Sequence, residues 1–147
     1  MDSRFRQCLD ESKLIKVKDA PDLAAKELLA AAMDLSSART SFSEENHKWA
    51  TVQAYYSMFH AAKALVYSKG YREKSHQCLA VALKALYSDA NALDVKHCNR
   101  FRDCMALRHD ADYGMVYSAQ SSREVVGWAG EFLEAAKKLL EKGNSVK

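Results

Sequence analysis

The sequence contains one proline and five glycines, so few of its 147 residues interrupt helices. It also lacks stretches in which apolar and polar residues alternate between turn residues, which argues against a fold built of β-strands. Alanine and leucine are common instead. No apolar run approaches the roughly 20 residues that span a bilayer, so we expect no membrane partner. These absences predict an all-α protein.

The cysteines have neither the spacing of a metal or redox site nor a secretory context. Cys8, Cys78, Cys98 and Cys104 form no C-x-x-C pair, and the chain opens without the charged-then-apolar pattern of a secretory signal. The sequence also has no compact zinc-ligand spacing and no glycine-rich phosphate loop. We therefore expect reduced thiols in a cytoplasmic protein that uses no metal and no cofactor.

The charge balance leaves the partner open. Twenty-two Lys and Arg against 19 Asp and Glu give a net charge of +3. This excess is compatible with a nucleic-acid partner but is smaller than the basic footprint of many such proteins.

Helix caps and stop signals divide the chain into six segments. Pro21 suits the first turn of a helix, Asn46 and Ser75 are N-cap residues, and Gly70 and Gly114 mark helix ends. Ser121 and Glu124 have the spacing of a capping box. The expected helices are 2–14, 21–42, 46–68, 75–87, 95–112 and one that begins near 121. We predict one domain over residues 1–147, an up-and-down antiparallel bundle of four long helices plus one or two short ones.

One stripe of the fifth helix changes from apolar to ionic. At helical spacing it carries Cys98, Phe101, Met105, Arg108 and Asp112. Such a change indicates either a solvated helix end or the wall of a polar site.

The third helix has two stripes. Its core stripe consists of Val52, Tyr55, Phe59, Ala62 and Val66. Its second stripe consists of Tyr56, His60, Lys63 and Tyr67. In one interpretation, Tyr56 and Tyr67 cover part of the core while His60 and Lys63 reach solvent. In the other, Tyr56 and His60 meet Arg108 and Asp112 in one pocket, which avoids the cost of burying each group separately.

Arg108 and Asp112 allow two interpretations. At i and i+4 they can pair as a structural clamp, a contact worth only about 0.2 to 0.5 kcal/mol when it is exposed. The planar guanidinium of Arg108 is equally suited to holding a phosphate.

Three stretches, "AYYSMFHAAKALVYSKGY", "KSHQ" and "ALRHDADYG", resemble a HEPN domain of the small prokaryotic branch. The resemblance implies a helical bundle, homodimerisation, and partnership with a minimal nucleotidyltransferase antitoxin in a toxin-antitoxin pair. It also implies that RNA or a nucleotide is bound. Many HEPN proteins are metal-independent ribonucleases. Their motif consists of Arg, four to six further residues and then His, and two copies of the motif meet across a dimer to form one active site.

This sequence departs from that pattern because Tyr113 stands where the shorter spacing from Arg108 would place His. A phenol titrates near pH 10 and is a poor base at neutral pH. Arg102 and His109 offer a second match on another face of the same helix. The expected catalytic residues are Arg108, His109, Asp112 and Tyr113. The expected binding residues are Tyr56, His60, Lys63, His76 and Arg102.

Several alternatives stay open at this stage. His76, at a helix start, is either a site residue or an exposed one, whereas His47 and His97 are expected on the surface. The protein is a possible endoribonuclease or a non-catalytic nucleotide-binding or adaptor module that docks a nucleotidyltransferase. By resemblance, Tyr113 or Tyr117 would accept AMP from that partner.

Overall fold

The computed structural model describes residues 2–18 and 21–145. Over these residues the chain is mainly helical, as predicted, with four long helices, two short ones and a single pair of short strands. The helices are α1 (Ser3–Asp10), α2 (Pro21–Ser43), α3 (His47–Ser68), α4 (His76–Leu83), α5 (Val95–Tyr113) and α6 (Ala119–Ser145). The strands are β1 (Leu14–Lys16) and β2 (Tyr71–Glu73).

Most predicted helix bounds are confirmed because their signals are local. The Asn46 side chain accepts a hydrogen bond from Trp49 N, and the Ser75 side chain accepts one from Cys78 N. Gly70 has a φ of +84°, a conformation that favours glycine after a helix. Gly114 follows the last residue of α5.

The prediction that the first helix reaches residue 14 is wrong. The α1 helix ends at Asp10, and a turn with Ser12 in the left-handed region leads into β1. Leu14–Lys16 then pairs antiparallel with Tyr71–Glu73. This strand pair joins the N-terminal segment to the start of α4.

Two other helix ends differ from the prediction. The cap of α6 is Ser118, whose Oγ accepts from Ser121 N, so the helix begins before the Ser121 and Glu124 pattern. The fourth helix changes at its end into a π-helical turn, Lys84–Ser88. Tyr87 in this turn donates from its hydroxyl to Leu65 O, which attaches the turn to α3.

The three other long helices surround α3, and α2 runs antiparallel to it. Helix α3 packs against α2, α5 and α6. Its first residue, His47, contacts Ser122 near the start of α6, and its end meets Leu140 near the end of α6, so these two helices run in the same direction. The main hydrophobic cluster takes buried side chains from each helix. Within the described residues, no helix is long and apolar enough to cross a membrane.

The expectation that every cysteine is reduced is wrong for Cys8 and Cys78, which form a disulfide. Helix α1 packs against α4, and the two Cα atoms lie 5.8 Å apart, which is within disulfide reach. Sequence spacing could not reveal this pair because 70 residues separate its members. Cys98 and Cys104 are free thiols, and burial raises the pKa of each.

Candidate functional site

Arg108 lies on α5 where that helix crosses α3, and its side chain is only 18% exposed. Its guanidinium carbon is within 6 Å of three tyrosine rings. The distances to the ring centroids are 5.7 Å for Tyr55, 5.4 Å for Tyr56 and 5.8 Å for Tyr113. A guanidinium this close to aromatic faces gains cation-π attraction, so the rings hold the cation in place.

The polar contacts of Arg108 use few of its five N–H donors. Nη2 donates to Tyr56 Oη at 2.8 Å and lies 3.9 Å from Asp112 Oδ2. Nε is buried and has no hydrogen-bond partner among the described residues. Nη1 makes no hydrogen bond among the described residues and is not buried, so Arg108 is a fixed cation with donors that an oxyanion could use.

Tyr55 links the imidazole of His76 to this cation. The Ser75 cap places His76 in the first turn of α4, where its ring stacks on Phe59 with centroids 4.5 Å apart. Its Nδ1 lies 2.5 Å from Tyr55 Oη. Burial and the charges of Arg108 and Lys63 lower the pKa of His76, which favours the neutral ring. Burial raises the pKa of Tyr55, which stays a neutral phenol.

His60 does not join Arg108 in the predicted pocket. Its Nδ1 lies 2.6 Å from Glu27 Oε2, and its Nε2 lies 3.6 Å from Asp34 Oδ2. Both carboxylates are on α2, whereas Arg108 is on α5, and these two helices pack against different sides of α3. The stripe was predicted correctly, but its members face different helices.

Lys63 extends the ionic cluster from α2 to β2. Its Nζ lies 3.6 Å from Glu27 and 3.7 Å from Glu73. Burial opposes ionisation of Glu27, but the hydrogen bond to His60 and the charge of Lys63 outweigh it and lower the pKa of Glu27. Burial dominates at Asp34 and Glu73 and raises both pKa values. These contacts form a network of ion pairs that joins α2, α3 and β2, which is a structural role.

Arg102 and His109 share a face of α5, as their spacing predicts, but that face is turned away from Tyr56. Both residues are exposed and line an open groove of about 850 Å³ between α1, α4 and α5. The other lining residues include Arg4, Lys13, Gln77, Met105 and both disulfide cysteines. Tyr113 lies between the two faces, because its ring contacts Arg108 and is also 5.0 Å from the His109 ring.

The structure thus brings together Arg108, Asp112, Tyr56 and Tyr113 from the predicted set. His76 joins them through Tyr55, which the periodicity assigned to the core and which is indeed buried. The only sequence signal for the role of Tyr55 is its position beside Tyr56.

The expectation that His47 and His97 are surface residues fails for His97. It is buried against Phe132, and its Nδ1 has no hydrogen-bond partner in the described part of the chain. Burial lowers its pKa. His47 is half-buried and bonds Ser122 Oγ at 2.9 Å.

The model of the HEPN domain family matches residues 25–141, which is most of the sequence and spans α3, α4 and α5. The chain belongs to the HEPN domain family. A search of curated proteins finds no match. In this HEPN domain the segment before residue 25 adds α1, β1 and Cys8 to the matched region. Among the described residues, no group of three or more His, Cys, Asp or Glu side chains could hold a metal ion.

Proposed function

We propose that this HEPN domain binds RNA through a phosphodiester at Arg108 and cleaves it without a metal ion. One observation carries the proposal: a partly buried guanidinium lies among three tyrosine rings, and one of these tyrosines, Tyr55, also bonds the imidazole of His76. Family membership supports an RNA- or nucleotide-related role.

The reaction requires a base and a fixed cation. In the tautomer in which His76 Nδ1–H donates to Tyr55 Oη, Nε2 carries the lone pair and can take the proton of a ribose 2′-hydroxyl. The 2′-oxygen then attacks phosphorus, the bond to the 5′-oxygen breaks, and that oxygen takes the proton back. The products are a 2′,3′-cyclic phosphate and a 5′-hydroxyl. Arg108 stabilises the charge on the phosphorane.

The test incubates purified protein with end-labelled RNA in excess EDTA. Arg108→Gln and His76→Gln should each lower cleavage, by roughly 100-fold or more, since each removes a group that acts in the transition state. Arg100→Gln is a matched control, because Arg100 also lies over an aromatic ring, Trp128 at 5.5 Å, and pairs with a carboxylate, Glu131 at 2.9 Å. It should cleave like the wild type.

Other outcomes assign other functions. Binding that depends on Arg108 without any cleavage would support a non-catalytic nucleotide-binding or adaptor module. Loss of cleavage in Arg102→Gln and His109→Gln, with cleavage kept in Arg108→Gln, would place the active site in the groove between α1, α4 and α5. A lower melting temperature for Arg108→Gln with unchanged RNA binding would leave Arg108 as a structural clamp with Asp112.

The family resemblance adds a second proposal, that the protein forms a homodimer and pairs with a minimal nucleotidyltransferase. Tyr113 supports the pairing with a nucleotidyltransferase, because this residue is 69% exposed and therefore accessible to a partner enzyme. Its hydroxyl would attack the α-phosphate of ATP, forming Tyr-AMP and releasing pyrophosphate. Co-expression with a neighbouring nucleotidyltransferase should add AMP to the intact mass. An unchanged mass, or one equally raised in Tyr113→Phe, would contradict Tyr113 as the acceptor.

A further inference from the structure

A run of exposed apolar side chains follows directly on the helix that carries Arg108. In the 113–117 segment, four of the five residues are large and apolar, and their exposed fractions run from 45% to 69%. They are Tyr113, Met115, Val116 and Tyr117. Single exposed apolar residues are ordinary on protein surfaces, whereas several together mark an interaction surface.

Backbone hydrogen bonds hold this segment against the end of α5. Gly114 N and Val116 N both donate to Asp110 O, at 2.9 and 3.0 Å. Met115 takes a left-handed conformation with a φ of +56°, which turns the chain sharply after the helix. The segment is thus shaped before any ligand arrives, which lowers the entropy lost on binding.

The cation Arg108 adjoins one end of the segment. The ring of Tyr113 lies 5.8 Å from the guanidinium carbon of Arg108 and 5.0 Å from the ring of His109. Proteins that bind single-stranded nucleic acid combine these two features, because a base stacks on the ring while the neighbouring phosphate meets the cation.

We infer that the 113–117 segment stacks an unpaired nucleobase beside the phosphate that Arg108 holds. The inference rests on the function proposed above and narrows its substrate to single-stranded RNA or an unpaired loop. A second copy of the chain is the other candidate occupant. The adjoining guanidinium of Arg108 favours an anionic strand over a copy that itself carries a net charge of +3.

The test compares two labelled probes by fluorescence anisotropy, a short oligoadenylate RNA and an abasic ribose-phosphate strand of equal length. The wild type should bind the oligoadenylate roughly 5- to 100-fold more tightly, since each base that stacks on an aromatic ring adds binding free energy. Tyr113→Leu with Tyr117→Leu removes both ring faces at exposed positions and should bind the two probes equally. Tyr113→Phe with Tyr117→Phe keeps the rings and should keep the preference.

A matched control removes exposed apolar surface elsewhere. Leu29 and Met33 on α2 are each 63% exposed. The double variant Leu29→Ala with Met33→Ala should retain the preference for oligoadenylate. Loss of the preference in this control as well would mean that the effect does not belong to the 113–117 segment.

The remaining outcomes separate this inference from the proposed function. If the wild type binds both probes equally and Arg108→Gln weakens both, the phosphate site stands and the stacking surface is wrong. If the wild type binds neither probe, both ideas are wrong. If the double leucine variant keeps the base preference but changes from dimer to monomer in light scattering, the segment is a contact between copies and the inference is overturned.

Discussion

Nη2 of Arg108 donates to the hydroxyl oxygen of Tyr56 at 2.8 Å, which joins the middle of α3 to the last turns of α5. The Tyr56 ring also lies 5.4 Å from the guanidinium carbon, so one residue contacts the cation through both its ring and its hydroxyl. Removing the hydroxyl alone separates these two contributions.

Tyr56→Phe should lower the free energy of unfolding by about 0.5 to 1.5 kcal/mol, the net value of a typical hydrogen bond. It should also weaken RNA binding, because the guanidinium loses one of its fixed partners. Urea denaturation measures the first effect and anisotropy the second. Tyr67→Phe is the control, since no hydrogen bond of the Tyr67 hydroxyl occurs within the described residues, and it should change neither quantity. Equal effects of the two substitutions would contradict a specific role for the Tyr56 hydroxyl.

The disulfide between Cys8 and Cys78 should stabilise the fold, because it closes a loop across 70 residues of sequence. Cys8→Ser with Cys78→Ser should lower the free energy of unfolding by about 2 to 4 kcal/mol. A dithiol reductant should bring the wild type to the same urea midpoint and leave the double variant unchanged. A midpoint of the wild type that does not respond to reductant would show that the bond contributes nothing.

The helix bounds were predictable because helix signals act over three or four residues. Asn46, Ser75 and Gly70 each act on backbone groups of their own turn. The strand pair was not predictable in this way, because Leu14 and Glu73 are far apart in sequence and only the packing of the helices between them brings them together. The disulfide was not predictable for the same reason, because its two cysteines are also far apart in sequence.

The candidate site was predictable only in part. Helical periodicity correctly placed Arg108 and Tyr56 on facing stripes. It could not tell which neighbour each member of a stripe faces, so His60 was assigned to Arg108 although it contacts Glu27 on α2. His76 enters the site because α4 starts beside α3, which is a property of the packing and not of the local sequence.

Glu27→Gln should destabilise the protein at neutral pH. The lowered pKa of Glu27 means that its charged form is favoured in the fold, where it faces both His60 and Lys63. We expect a loss of about 1 kcal/mol, more than for exposed ion pairs because this carboxylate is largely covered. Glu131→Gln breaks a more exposed pair with Arg100 and should cost less. Equal melting temperatures of the two variants would contradict this order.

Stability should fall as the pH is lowered from about 7.5 to about 5.5. Burial lowers the pKa values of His76 and His97 in the folded state, so below about pH 6.5 the unfolded chain binds protons that the fold excludes. The slope has a ceiling of about 1.4 kcal/mol per pH unit for each histidine. His97→Leu should flatten the profile because it removes one such group. Urea midpoints across this pH range measure the slope. A His97→Leu profile as steep as that of the wild type would assign the effect to other groups.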